Sequence, residues 1–400
     1  MNDVAFTMRP GKRGLPGPDR VAGGALASPA AQFAVQPWRA WASAEARAAW
    51  DALAARAGTP NPFFEHWYLL PGLARFDPGA RVQIAALMRG DAAEALIPMQ
   101  RARRYGRHPL PHLAVWLHAN TFLGAPLVAA GAEEAFWEAL LDWADRNPGS
   151  ALFLHLAALP LDTALADALF ALCARQGRQA ALVHLEERAL LASKLGPVGY
   201  LEQALPGKKR KELRRQHTRL AEQGALAFTR RDDADGIEPW VEQFLALEAR
   251  GWKGSAGSAL ACAAETAGLF REAMTAAAQR GCLERLSLDL DGQPIAMLAS
   301  LIAPPGAFSY KTAFDERYAR FSPGVLLQLE NLALLDRPEV CWADSCAAPD
   351  HPMIDSLWRE RRPLGRVSIA IGGGARRTLF GSLVSFELSR NPPSTPQGMA

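Results

Sequence analysis

The stretch 308–337 constrains the fold more than any other, because it predicts a strand, a tight turn and a helix in immediate succession. Its first seven residues alternate aromatic or apolar side chains with polar ones, which is typical of a half-buried strand. The turn ends in Ser322, Pro323 and Gly324, and apolar residues recur at helical spacing from Val325 onward. Pro323 has no N–H to donate, and Gly324 tolerates backbone angles that other residues avoid.

This order of elements predicts an anion site at the start of the helix. The first N–H groups of a helix lack intrahelical partners and lie at the positive end of its dipole. Such a terminus suits a phosphate or pyrophosphate, and we expect contacts at Ser322, Gly324, Val325 and Leu326. Arg320 would add a charge-assisted contact. An ordinary strand-to-helix connection is the alternative that the local pattern leaves open.

Composition excludes several classes of protein. A chain of 400 residues favours two or three domains, and 49% apolar with 21% charged residues is ordinary for a globular protein. A net charge of +3 is too small for nucleic-acid binding by bulk charge. The five cysteines show no CxxC and no metal-ligand spacing, so we expect reduced thiols, no metal and a cytoplasmic protein. The chain has no run of 18 apolar residues, so we expect no transmembrane helix. Peripheral attachment at the inner membrane stays open.

One order of elements occurs twice along the chain. Hairpin, strand, turn, helix and strand follow one another over 82–156 and again over 283–344. The turn of the first copy, 120–126, has neither an arginine nor a Ser-Pro-Gly, so we expect the anion site only in the second copy. The sequence therefore predicts an α/β (α+β) protein with two domains, at 35–195 and 196–390, each a mixed sheet flanked by helices.

The remaining segments carry weaker signals. Residues 1–34 and 391–400 lack a regular apolar pattern and are predicted to be disordered tails. The triple glycine 372–374 is predicted to be a hairpin between two strands, and 352–361 a short helix.

Five short motifs are spread along the chain: Asn-Pro-Phe-Phe-Glu at 61–65, a basic run at 208–215, Glu-Ala-Arg-Gly-Trp-Lys-Gly at 248–254, Tyr-Lys-Thr-Ala-Phe-Asp-Glu at 310–316 and Phe-Ser-Pro-Gly at 321–324. Together, and in this order, they resemble the GNAT-superfamily acyltransferases of the CelD/BcsL type, which have a FemAB-like pair of GNAT domains. The resemblance covers roughly residues 38–390.

The resemblance implies a donor and an acceptor. The donor would be acetyl-CoA or another acyl-CoA, or an aminoacyl-tRNA as in FemAB relatives. The acceptor would be an amine or a hydroxyl, for example on a cell-envelope or exopolysaccharide precursor. In GNAT folds the strand, turn and helix bind the donor pyrophosphate. Here the run from Arg320 to Val325 departs from the usual Arg/Gln-x-x-Gly-x-Gly/Ala signature, because it lacks the second small residue and shifts the glycine by one.

Polar residues at strand ends are candidates for proton transfer. Acyl transfer needs a neutral nucleophile, a donor to the oxyanion and a proton for the leaving thiolate. Asp315 ends the central strand, Asp344 ends the next strand, and His351 follows in the adjacent loop. We expect the catalytic groups among these three, although Asp315 could equally be a surface charge or the cap of a turn.

The acceptor site is predicted between the two domains. Lys311 and Tyr310 lie on the central strand, and Trp252 would form a wall of the cleft unless it is a core residue. Lys208 and Arg215 belong to a predicted basic helix, 207–221, whose Leu213 and Leu220 form a narrow apolar stripe. That helix is a solvated face by default. The alternatives are an anion clamp for coenzyme A or a phosphorylated acceptor, and contact with RNA or acidic lipids.

The sequence therefore predicts an N- or O-acyltransferase in which the acceptor attacks the thioester directly, because no cysteine or serine lies in a nucleophile context. An aminoacyl-tRNA-dependent transferase and an inactive scaffold of polysaccharide synthesis are the alternatives. The oligomeric state is left open.

Overall fold

The computed structural model describes residues 30–390 and shows a single mixed sheet of 13 strands flanked by helices. The strands are β1 (Ala31–Pro37), β2 (Gln83–Arg89), β3 (Ala92–Ala102), β4 (His112–Val115), β5 (Leu127–Val128), β6 (Phe153–Pro160), β7 (Ala180–Leu191), β8 (Leu226–Arg231), β9 (Leu283–Leu290), β10 (Gln293–Ala303), β11 (Gly306–Phe314), β12 (Trp342–Asp344) and β13 (Glu360–Ala370). The helices are α1 (Ala44–Ala54), α2 (His66–Phe76), α3 (Glu133–Arg146), α4 (Ala164–Arg175), α5 (Pro197–Ala204), α6 (Gly207–Ala221), α7 (Ile237–Arg250), α8 (Trp252–Ser255), α9 (Ala264–Gln279), α10 (Pro323–Asn331) and α11 (Gly374–Arg390).

The sheet contains the predicted repeat. Its strand order is β1-β2-β3-β4-β6-β13-β7-β12-β11-β10-β9-β8, with β5 paired to β3. Within residues 30–390, parallel pairing occurs between β4 and β6 and between β11 and β12, and the other neighbours are antiparallel. A hairpin leads to a parallel pair in each half, with α3 and α10 on the two crossovers. The predicted mixed α/β fold is confirmed.

The two halves exchange strands at the centre of the sheet. β7 belongs to the first half of the chain but pairs with β12 and β13 of the second half. β13 comes last in the chain but lies between β6 and β7. Because each half supplies a strand to the other, the backbone hydrogen bonds of the sheet run without interruption from the first half into the second.

Aromatic side chains join the halves beside this seam. The Phe63 ring lies 5.5 Å from the Phe308 ring and 5.9 Å from the Tyr310 ring, measured between ring centres. The Tyr68 hydroxyl on α2 is 3.0 Å from the Tyr310 hydroxyl on β11, and it donates to the Asn120 carbonyl at 2.6 Å. All these rings are buried, and so is the loop residue Asn120, whose carbonyl completes the network. The halves therefore share one hydrophobic core.

The C-terminal region differs from the sequence-based expectation. The predicted hairpin at 372–374 is wrong, because Gly372 at φ 74° turns the chain from β13 into α11. The helix forms because Phe380 and Val384, one turn apart, both pack against the sheet. The predicted helix at 352–361 is also absent: this segment holds turns, and β13 begins at Glu360.

The ends of the chain are described only in part. β1 begins at Ala31, so the last residues of the predicted N-terminal tail form an edge strand, while residues 1–29 of that tail lie outside the described residues. The predicted tail at 391–400 also lies outside them. Among the described helices, none combines the length and the apolar character that crossing a bilayer requires.

Candidate functional site

The candidate site is a cleft that opens where β11 and β12 part. The two strands pair through only three positions, from Gly306 with Trp342 to Phe308 with Asp344. Beyond these positions β11 continues to Phe314 with β10 on one side and, among residues 30–390, no strand on the other. The resulting cleft of about 710 Å³ has residues 309–312 along one wall and 345–348 along the other. Its volume lies within the range of about 300–1,000 Å³ that is usual for small-molecule sites.

The N-terminus of α10 lies in this cleft. Ser322, Pro323, Gly324 and Val325 all line it. No side chain caps the helix, while the backbone N–H groups of Val325 and Leu326 donate to the Ser322 carbonyl at 2.9 and 3.0 Å. Within the described residues no hydrogen bond is formed by the Gly324 N–H. The helix dipole and this amide favour an anion at the end of the cleft.

Gly324 fits this turn because of its small size, and not because of the backbone freedom that the sequence indicated. The left-handed residue is Ser322, with φ 54° and ψ 50°, whereas Gly324 has helical geometry. A Cβ at Gly324 would lie 3.1 Å from the Met353 sulfur and 3.4 Å from the Phe314 ring. Glycine is therefore needed because other side chains approach the backbone closely, and not for its backbone angles.

Lys311 is the cation at the base of the cleft. Its Nζ lies 5.1 Å from the centre of the Phe122 ring and 5.7 Å from that of Tyr310, at cation–π distance. Within residues 30–390 no ion pair is formed by this ammonium group. Burial, and then the nearby positive charge of Lys253, lower the pKa of Lys311 from 10.5 to about 8. A lysine with this pKa exchanges its proton near neutral pH.

Trp252 and Lys253, just after α7, also line the cleft, and the Lys253 ammonium lies 3.5 Å from the Thr312 carbonyl of β11. The Lys253 ammonium donates to Glu248 at 2.9 Å, and the other Glu248 oxygen accepts from the Leu260 N–H. The Trp252 side chain is 59% exposed although it lines the cleft. Trp252 is therefore not a core residue, and its contact with an acceptor stays a prediction. Its backbone N–H donates to the Glu316 carboxylate.

His351 also lines the cleft and is half-buried. Burial lowers the pKa of His351 below 6.5, so the imidazole is neutral at pH 7. A neutral imidazole can accept a proton. Of the three predicted catalytic residues, His351 is the one that borders the cleft.

Asp315 and Asp344 are engaged elsewhere, and neither lines the cleft. Asp315 caps the 3-10 helix Glu316–Phe321 and forms a bidentate ion pair with Arg317, whose hydrogen bonds lower the pKa of Asp315. Asp344 is fully buried between Arg188 and Arg362, at 3.4 and 3.3 Å. It also accepts from the Cys346 N–H at 2.8 Å. We infer structural roles for both carboxylates.

The other residues that were predicted to contact a ligand lie partly beside the cleft and partly away from it. Tyr310 is buried at the base of the cleft, with its hydroxyl on Tyr68. Leu326 is buried beside the helix start and belongs to the hydrophobic core. Arg320, Arg215 and Lys208 are exposed, and none of them lines the cleft. Arg320 and Arg215 instead border a separate shallow groove along α6.

Two residues that line the cleft, Gln328 and Cys346, were not predicted from the sequence. Gln328 on α10 faces β11, with its amide nitrogen 3.4 Å from Ser309 and 3.5 Å from Thr312. The available signal was a polar residue three positions after Val325, on the face that the apolar spacing predicts to be buried. The Cys346 thiol lines the cleft, but a lone cysteine after a short strand gave no signal.

The corresponding opening in the first half is filled by the chain itself. The Gly124 N–H donates to the Ala158 carbonyl at 2.9 Å, and a Cβ at Gly124 would lie 1.9 Å from the Ala157 oxygen. The Asn61 amide holds this loop through the Leu123 and Ala125 carbonyls. The loop therefore occupies the space where β4 and β6 diverge. That the anion site belongs to the second copy stays a prediction.

Comparison with known proteins places this geometry in a family of domains. Residues 207–336 match the family model "Acetyltransferase (GNAT) domain". No curated protein matches the sequence. FemX is similar in structure, with a TM-score of 0.52 and 9% identity over 84% of this chain and 98% of FemX.

Two further solved structures share the fold at similar distance. L-PGS from Bacillus licheniformis has a TM-score of 0.51 and 11% identity over 84% of this chain and 96% of its own. A conserved protein of unknown function from Bacteroides thetaiotaomicron has a TM-score of 0.52 and 13% identity over 81% and 97%. The part of the chain that carries β11, α10 and Lys311, residues 207–336, is thus the part that matches a GNAT-type acetyltransferase domain.

Proposed function

We propose that the protein transfers an acyl group from an acyl-CoA donor to an amine or hydroxyl acceptor bound in the cleft between β11 and β12. The observation that carries the proposal is the parting of these strands beside an uncapped helix N-terminus, with Lys311 between them. An acyl-CoA presents the matching chemistry, because its pyrophosphate is an anion and its pantetheine arm carries amides.

The donor would lie along the free edge of β11. The helix start at Gly324 and Val325 would hold the pyrophosphate. The pantetheine amides would pair with backbone groups of residues 309–312 that face away from β10, much as an added strand does, and would compete with Lys253 for the Thr312 carbonyl. This arrangement would bring the thioester to Lys311 and leave the acceptor on the side of Trp252 and His351.

Lys311 and His351 would divide the proton chemistry. The Lys311 ammonium would stabilise negative charge on the attacked carbonyl oxygen and supply a proton to the leaving thiolate. The neutral His351 imidazole would take the proton from the acceptor amine or hydroxyl, directly or through water. The new bond joins the acceptor nitrogen or oxygen to the acyl carbon, the carbon–sulfur bond breaks, and the thiol leaves protonated.

Thermal unfolding with candidate donors tests the proposal. A ligand that binds the folded chain raises the melting temperature by mass action. Acetyl-CoA and coenzyme A should raise it, and a Gly324→Glu variant should lose this response because the new carboxylate repels the pyrophosphate. A Gly373→Glu variant, at a glycine with no atom within 4 Å of the added Cβ, controls for the new charge.

A tRNA-dependent reaction is the second candidate, supported by the exposed cations of α6. Stabilisation by tRNA and not by acetyl-CoA would show that the donor is wrong. Failure of a panel of amines and hydroxyl acceptors to release thiol from any tested acyl-CoA, despite binding of coenzyme A, would favour the inactive scaffold.

A further inference from the structure

A second pocket lies on the other side of α10 from the cleft. It is enclosed by α5, α6, β8, β9 and α10 and has a volume of about 410 Å³. Its lining is mainly aliphatic and aromatic and includes Leu201, Leu213, Phe228, Leu288 and Leu329. Nothing in the acyl-transfer scheme uses this pocket.

Exposed aliphatic side chains border the pocket. Val198 lines it and is 74% exposed, and Leu195, three residues earlier, is 41% exposed. Within the described residues, the large apolar side chains with such exposure are Leu195, Val198, Trp252, Leu379 and Phe386. Of these five, Leu195 lies just before α5 and Val198 in its first turn, whereas Trp252 belongs to the cleft. An exposed apolar rim around an apolar pocket marks an interaction surface.

Cations outnumber acids on the surface around this rim. Arg210, Arg214 and His217 line the pocket together with the acids Glu202 and Glu330. Glu202 is paired with Arg210 at 3.0 Å. Lys208, Lys209 and Lys211 at the start of α6 are exposed and form no ion pair within residues 30–390. The surface around Val198 therefore combines apolar side chains with a net positive charge.

We propose that the surface formed by the start of α5 and the N-terminal half of α6 docks on a bilayer that contains anionic phospholipid. Leu195 and Val198 enter the apolar boundary of the bilayer, and the pocket behind Val198 receives part of an acyl chain. The lysines and Arg214 lie at the level of the headgroup phosphates. RNA could also bind the cations, but proteins that bind single-stranded RNA stack its bases on exposed aromatic side chains. The exposed apolar residues of this rim are aliphatic, which favours a bilayer over RNA.

Vesicle sedimentation of the full chain tests the surface. Wild type should pellet with vesicles of phosphatidylcholine mixed with phosphatidylglycerol, and much less with phosphatidylcholine alone or at high salt. The double variant Lys208→Glu, Lys211→Glu should bind the mixed vesicles at least about tenfold more weakly, because each cation near an anionic surface contributes roughly fivefold. Leu195→Ser, Val198→Ser should also weaken binding, and this loss should persist at low salt.

A matched control and the opposing outcomes complete the test. Leu379→Ser, Phe386→Ser removes two exposed apolar side chains from α11 and should leave vesicle binding unchanged. Melting temperatures close to wild type would show that all three double variants fold. The proposal is overturned if wild type does not pellet with anionic vesicles, if phosphatidylcholine alone suffices, or if the α5 and α11 variants lose equal affinity. Binding to tRNA without vesicle binding would assign the basic surface to RNA instead.

Discussion

At the scale of single residues, Lys311 is the cleft cation whose pKa is lowered, first by burial and then by the positive charge of Lys253. A buried ammonium without a carboxylate partner disfavours its own charged form. Between about pH 8 and pH 10.5 the unfolded chain therefore binds more protons at this lysine than the folded chain does. The free energy of unfolding of the wild type therefore rises with pH across this window.

Replacing Lys311 by methionine should consequently stabilise the protein near neutral pH. The expected gain in the free energy of unfolding at pH 7 is on the order of 1–3 kcal/mol, and it should shrink as the pH approaches 10.5. Urea unfolding at several pH values measures it, with Lys208→Met as a control at an exposed lysine. A stability difference that stays constant with pH would contradict the assigned environment of Lys311.

Lys311 and His351 together predict a bell-shaped pH dependence of kcat/KM. Activity should rise through a pKa below 6.5 as His351 loses its proton, and fall near pH 8 as Lys311 loses its own. His351→Gln should lower kcat by about 10²–10⁴ and remove the acidic limb, whereas Lys311→Met should remove the alkaline limb. Steady-state rates with the best acceptor across pH decide this. Retention of both limbs in both variants would exclude this division of roles.

Asp344 should behave as a structural residue. Asp344→Asn leaves the buried guanidinium groups of Arg188 and Arg362 without their shared charge, and we expect a loss of about 3 kcal/mol in the free energy of unfolding. Asp315→Asn is the control, since asparagine also caps a helix start and the change should cost less than about 1 kcal/mol. If Asp344→Asn abolished turnover at unchanged stability, the original expectation of a catalytic role would be restored.

At the scale of elements, the site depends on where β11 and β12 stop pairing. Gly306 begins this pairing, and a Cβ there would lie 2.3 Å from the Trp342 ring, which also packs under the Arg362 guanidinium. Gly306→Ala must therefore push the two strands apart or displace the indole. We expect a loss of about 1–3 kcal/mol from overpacking, measured by thermal or urea unfolding. Gly373→Ala, with open space around its Cβ, should change stability by less than about 0.5 kcal/mol.

Elements with a strong local signal could be predicted, and those defined by tertiary contacts could not. The helix at 207–221 could be predicted from the sequence, because the spacing of Leu213 and Leu220 is a local signal and both side chains are buried. The turn at Ser322 could also be read. The fate of 372–374 could not, since Gly372 fits a hairpin and a strand-to-helix turn equally well. The burial of Asp344 depends on Arg188, which lies 156 residues away in sequence.

At the scale of the whole molecule, the strand exchange decides whether the halves can stand alone. The predicted domains 35–195 and 196–390 each keep their own hairpin and parallel pair. When 196–390 is expressed alone, β13 loses both of its neighbours, β6 and β7, and β12 loses β7. Unpaired strand edges and exposed aromatic residues such as Phe308 and Tyr310 then favour aggregation.

We therefore expect the full chain to unfold in one cooperative transition and the fragment 196–390 to be insoluble by itself. Circular dichroism and tryptophan fluorescence should give coincident urea curves for the full chain. Co-expression of 35–195 with 196–390 should restore a soluble complex, because the β7–β13 and β6–β13 pairings can form between two chains as well as within one. Two separated transitions in the full chain, or a soluble and folded 196–390 fragment, would mean that the second half of the chain does not depend on pairing with β7.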